Sequence, residues 1–147
     1  MSKPHRASPG QRADYRAFFP MTTRWADNDP YGHVNNVVYH AWFDTAVNRF
    51  LIANGLLHVT ESAVIAVMAE NGCRYHSELA YPDEVTVGVR VGRVGASSVR
   101  YESGAFRADA QAASAEGFLV HVYVNRATMR PVPMPADVRA ALATIAV

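Results

Sequence analysis

The densest run of chemically capable side chains lies between Arg24 and Asp44, in RWADNDPYGHVNNVVYHAWFD. Asp27, Asp29 and His33 can move protons or hold a cation, and Asn35 and Asn36 stand at the threshold of a strongly apolar run. Two readings are open. In the first, Asp29-Pro30 and Gly32 set a turn that leads into a capped core helix, since Asp before Pro initiates turns and Asn caps helices. In the second, the same residues form an active site at the helix mouth. A helix N-terminus carries unpaired N–H groups and about half a positive charge. Placed under a carbonyl, each such donor stabilises a developing oxyanion by about 3 kcal/mol. A carboxylate opposite can activate water or attack directly. Gly32 lets the backbone approach closely.

The other reactive residues divide between structure and chemistry. Asp27 reads as a more exposed loop or capping acid. Asp44, on a polar stripe with His40 and Asn48, is the second candidate carboxylate. His33 either bonds the loop or touches a substrate. Tyr39 and Trp42 are core aromatics or pocket lining. Asp27, Asp29 and His33 lack a clear fourth metal ligand, so no metal is expected. His76 and His121 sit in strand-like stretches and are expected to be packed or interfacial. Cys73 is the only cysteine. It has no visible activating partner and reads as an inert, buried thiol.

The elements that must position these residues follow from periodicity. From Tyr15 to Trp25, aromatic and β-branched residues with Pro20 among them suggest an interrupted or edge strand. From Asn36 to Asn54, Tyr39, Phe43, Val47 and Phe50 mark one helix face, widened by Val38, Trp42, Ala46 and Leu51. So broad an apolar face predicts a helix enclosed on most sides, with Gly55 just past its end. AVIAVMAE and CRYHSEL read as one bent strand or two short ones. In DEVTVGVRVGRV, Val85, Val87, Val89 and Val91 share a face; Gly95-Ala96 then turns the chain into SSVRYESGAFRA. SAEGFLVHVYVNR supplies a further strand with Phe118, Val120, Val122 and Val124 on one face. An antiparallel meander is the economical arrangement. RPVPMP ends the sheet, and Asp137 to Ala146 predicts a short terminal helix.

Composition bounds the rest. The chain has 147 residues, 50% hydrophobic and 18% charged, with a formal net charge of +1. That length suits one domain, and the charge gives no electrostatic case for a nucleic-acid partner. Residues 1–13 are polar, without an apolar stretch, and predict a flexible tail rather than a signal or anchor, leaving a single domain over 14–147. No run is long enough to suggest a membrane span, so a cytoplasmic location is expected. One sheet around one helix buries a single sheet face well, so a homodimer or homotetramer is expected.

Asp27 to Tyr39, DNDPYGHVNNVVY, the hairpin GRVGASSVRYE and RPVP after the last strand together resemble the hotdog fold, specifically the 4-hydroxybenzoyl-CoA thioesterase-like acyl-CoA thioesterases. Asp29-Pro30 with Gly32 is similar to the aromatic acyl-CoA enzymes, and HVNN to the fatty acyl thioesterases. The resemblance implies an α+β hotdog domain of about five antiparallel strands around one long helix, and hydrolysis of an acyl-CoA thioester without a cofactor. It places the catalytic acid on Asp29, as base or nucleophile, and the carbonyl-polarising amide on the backbone of Asn36. In other hotdog thioesterases a helix carboxylate is catalytic, which keeps Asp44 as the alternative. His33, Asn35, Tyr39 and Asp44 are then expected at the substrate. CoA phosphates call for arginine near the pocket mouth. Arg90, Arg93, Arg100 and Arg130 are available; Arg93, beside the Gly-Ala turn with Ser97 and Ser98, is best placed. A hotdog dehydratase or hydratase and a non-catalytic acyl-thioester-binding module are the rival readings.

Overall fold

The computed structural model describes residues 6–147. A five-stranded antiparallel sheet wraps one long helix. In chain order the elements are β1 (Ala17–Thr22), α1 (Asn36–Ala53), β2 (Val64–Tyr75), β3 (Glu84–Val94), β4 (Ser98–Arg107), β5 (Ala115–Asn125) and α2 (Ala136–Ala143). Short 3-10 turns at Arg12–Asp14 and Trp25–Asp27 flank β1.

The core lies between α1 and one sheet face. Val85, Val87, Val89 and Val91 of β3 are all buried, as are Val99 and Tyr101 of β4. They meet Tyr39, Trp42, Phe43, Ala46, Val47, Phe50 and Leu51 of α1. Gly117 in β5 is the closest seat for the helix, because a Cβ there would lie 2.5 Å from the Phe43 ring. α1 ends as the sequence predicts: Gly55 takes φ 67°, and Leu56 N–H returns to the Leu51 carbonyl at 2.9 Å. This is the left-handed exit that satisfies carbonyls of the last turn.

Several expectations need correction. The sheet order is β1-β3-β4-β5-β2, so only β3 to β5 form a meander. β2 crosses to the far edge and pairs with β5. It is one bent strand, with a register shift between Met68 and Glu70. In β5 the row Phe118, Val120 and Val122 is only half-buried, whereas Leu119, His121 and Tyr123 are buried. Strand side chains alternate, and the second row is the one that faces α1. α2 stops at Ala143; the chain then extends, and Val91 N–H donates to the Ile145 carbonyl and Val147 N–H to the Val91 carbonyl. The expected tail is held from Gly10 onward, since Ala113 N–H donates to the Gly10 carbonyl and Arg12 N–H to that of Gln111. Residues 1–5 of that tail lie outside the described residues.

The two sheet edges differ. Pro20 interrupts the hydrogen-bonding potential of β1, and the Arg49 guanidinium donates to its carbonyl at 2.9 Å. The twelve-residue β2 pairs only on its β5 side among the described residues.

Candidate active site

Residues 28–34 form a tight reversal. Asn28 and Val34 bridge antiparallel, and Asp29 N–H donates to the His33 carbonyl at 2.8 Å. Gly32, at φ 82°, supplies the left-handed residue the turn needs, and its N–H returns to the Asp29 carbonyl. Asp29 Oδ1 accepts from Tyr31 N–H at 2.9 Å, the Asx geometry of a turn-forming Asp. Asp29 Oδ2 accepts no hydrogen bond among the described residues. The turn chemistry and an available carboxylate oxygen therefore coexist in one side chain.

The loop is tied down on both sides. Val34 N–H donates to the Leu79 carbonyl at 2.7 Å, Asn35 N–H to that of Asp27 at 2.8 Å, and Tyr81 N–H to Asn28 Oδ1 at 3.0 Å. Asp27 is 2% exposed, which corrects its reading as an exposed acid. Its carboxylate accepts from Arg24 Nε and Nη2 and from Arg24 N–H, so it holds the 3-10 turn that precedes the loop. That commitment also takes Asp27 out of any metal site with Asp29 and His33. Among the described residues no three His, Cys, Asp or Glu side chains group as metal ligands.

α1 starts at this loop. Asn35 is its N-cap, with Oδ1 accepting from Val37 N–H at 3.0 Å and its carbonyl accepting from Val38 N–H. Asn36 N–H has no acceptor among the described residues. It borders a cavity of about 290 Å³ lined by Asp29, His33, Val34, Asn36, Tyr39 and the segment Tyr75 to Glu78. His33 Nε2 lies 3.2 Å from Glu78 Oε2 at the rim. His76 is packed as expected, 5% exposed, with Nε2 2.7 Å from Glu116 Oε2. Burial pushes the Tyr39 hydroxyl up to about 12, so it remains protonated at neutral pH.

The thioesterase-like superfamily matches residues 23–142 of this sequence. This chain belongs to that superfamily. Among solved structures, the PA5185 protein of Pseudomonas aeruginosa is 45% identical, with a TM-score of 0.91 over 94% of this chain and 96% of that one. The PA2801 protein of the same organism is 29% identical, with a TM-score of 0.81 over 87% and 98% of the two chains. A Thermus thermophilus thioesterase, solved with coenzyme A and zinc, is 28% identical, with a TM-score of 0.75 over 90% and 95%. No curated protein matches the sequence. As a member of the thioesterase-like superfamily, the protein is a thioester hydrolase on the hotdog fold.

In this thioesterase the cavity brings together Asp29, His33, Asn36 and Tyr39, with Asn35 capping the helix behind them. It does not gather the remaining expected residues. Asp44 lies about two turns along α1, exposed, and its carboxylate accepts from Asn48 Nδ2. Arg93, Ser97 and Ser98 occupy the β3–β4 hairpin, at the opposite end of the sheet from Tyr75, Glu84 and Ala115. Tyr75, Ser77 and Glu78 line the cavity without having been singled out. Their only sequence signal is the polar cluster HSE that follows the aromatic end of β2.

Proposed function

We propose that this protein hydrolyses acyl-CoA thioesters to the free acid and CoA. The Asn36 N–H, unpaired at the helix mouth and sharing one cavity with the available Asp29 oxygen, is the observation that carries the reading. The thioester carbonyl accepts from that N–H, where the first-turn donors and the helix dipole favour negative charge. Asp29, as base, takes a proton from water while the water oxygen bonds to the carbonyl carbon. Collapse of the tetrahedral oxyanion breaks the C–S bond and releases CoA thiolate, which then takes up a proton. As nucleophile, an Asp29 oxygen instead attacks the carbonyl carbon, and the C–S bond breaks with release of CoA thiolate. Water then cleaves the mixed anhydride to the free acid and the Asp29 carboxylate. His33 at the rim and Tyr39 at the wall contact the acyl group.

The coenzyme A held by the Thermus relative supports a CoA carrier. A homodimer or homotetramer fits the open β2 edge. Antiparallel pairing of two β2 strands sets each chain's cavity beside the other end of its partner's sheet, the end that carries Arg93, Ser97 and Ser98. No helix is long and apolar enough to cross a membrane among the described residues, in keeping with the proposed cytoplasmic location.

A screen over aromatic, short-chain and long-chain acyl-CoAs, read as released thiol, tests the activity. Single-turnover hydrolysis in H₂¹⁸O separates the two roles of Asp29. Label entering the Asp29 carboxylate marks an anhydride opened at the Asp29 carbonyl. When label is confined to the product acid, mass spectrometry of enzyme quenched within the first turnover decides: an acylated Asp29 marks the anhydride and an unmodified one the base. Tight acyl-CoA binding without release of any thiol would replace the hydrolase reading with the binding module.

A further inference from the structure

Tyr75 closes β2, and its hydroxyl donates to the Asn36 carbonyl at 2.9 Å. This bond joins the far edge of the sheet to the first residue of α1. Asn36 and Val37 are exposed, and a first helical turn opens readily unless its groups are held. The Asn35 cap secures the amides of Val37 and Val38, and Asp27 secures the amide of Asn35. Among the described residues, only Tyr75 grips Asn36 itself from outside the helix.

The grip is stiff because the ring is fixed. Tyr75 meets Tyr39 edge-on with centroids 5.1 Å apart, and Tyr39 meets Trp42 in the same way at 5.3 Å. Tyr39 and Trp42 are buried, so they bind this wall to the core. Burial raises the Tyr75 hydroxyl well above the usual tyrosine range, which keeps it protonated and able to donate at neutral pH.

We propose that Tyr75 is a positioning residue: its hydroxyl holds the Asn36 carbonyl, in the Asn36–Val37 peptide, and through the shared Cα steadies the adjoining Asn35–Asn36 peptide, whose N–H is held toward the bound carbonyl. An oxyanion donor works by being in place before charge develops, so mobility of the residue that carries it weakens it most in the transition state. The proposal rests on the thioester reading of Asn36, and it also makes a claim about the turn that can be measured without substrate.

Tyr75→Phe removes one oxygen and keeps the ring. Amide hydrogen exchange, followed by NMR, should accelerate about tenfold at Val38, Tyr39 and His40 and stay unchanged from Phe43 onward. With the best acyl-CoA from the screen, kcat should fall about tenfold with KM within about twofold, the split expected of a transition-state effect. Unchanged exchange in the first turn overturns the proposal, even if kcat falls, since the hydroxyl would then act on substrate directly. Faster exchange with unchanged kcat also overturns it. If the wild type cleaves no acyl-CoA, the thioester reading fails, and the exchange comparison alone decides whether Tyr75 holds the turn.

Discussion

At Asp29 the two oxygens of one carboxylate differ: Oδ1 closes the turn onto Tyr31 N–H, and Oδ2 accepts no hydrogen bond among the described residues, on a side chain that lines the cavity. Asp29→Asn keeps the turn-forming oxygen and removes the charge. It should lower kcat by at least about a hundredfold while KM stays within a fewfold. Asp44→Asn, on the outer stripe of α1, should do less in the same assay; exchanged results would move the catalytic acid onto the helix. Asn36 allows a second separation, of side chain from backbone. Proline is tolerated in a first helical turn but has no N–H. Asn36→Ala should keep much of its turnover, and Asn36→Pro should lose roughly a hundredfold or more, once circular dichroism shows it folded. A folded proline variant with normal kcat would sink the oxyanion assignment. At this scale the sequence was legible where contacts are local: Asp29, His33, Asn36 and Tyr39 fall within one turn and the start of one helix. Tyr75, Ser77 and Glu78 were not, because a strand crossing the whole sheet delivers them.

Among the elements, α1 and β3 follow directly from their patterns, because each has one strongly apolar face with a regular period. β5 does not, since both of its faces carry large apolar residues and periodicity cannot say which one meets the helix. Gly117 decides it, by leaving room for Phe43 where a side chain would collide. Gly117→Ala should therefore destabilise the fold by about 1–3 kcal/mol, read from chemical denaturation, as overpacked cores do. Phe43→Ala, which instead leaves a void, should cost about 3–5 kcal/mol. His121, on the same buried row, adds a pH dependence. Burial lowers its pKa, with Asp44 opposing in part. Below about pH 6.5 the unfolded chain takes up the proton first, so stability should fall as pH drops from there. His121→Gln should flatten that part of a Tm-against-pH curve. An unchanged slope would assign the acid sensitivity to other groups.

The whole molecule leaves apolar surface unspent: Val37 is 66% exposed and Ile52 55% on the outer stripe of α1, and Met68 is 42% exposed on β2. Sedimentation should accordingly show a dimer or tetramer, and dilution to the monomer should abolish hydrolysis if the partner's hairpin completes each site. An active, stable monomer by light scattering would contradict this. The contrast between the sheet edges has a consequence for how such assembly ends. Beside β1, the carbonyl of Pro20 is taken by Arg49 and its nitrogen has no hydrogen, while residues 145–147 lie along β3 beyond the end of β1. Among the described residues, Pro20 blunts the short β1 edge, and the twelve-residue β2 offers the longer open one. A sheet with one adhesive edge joins a like sheet and then has no further edge to pair, so a tetramer would have to form through faces, whereas a sheet with two such edges would add copies without limit. The arrangement thus caps growth at a finite particle, and filaments should be absent even at high protein concentration.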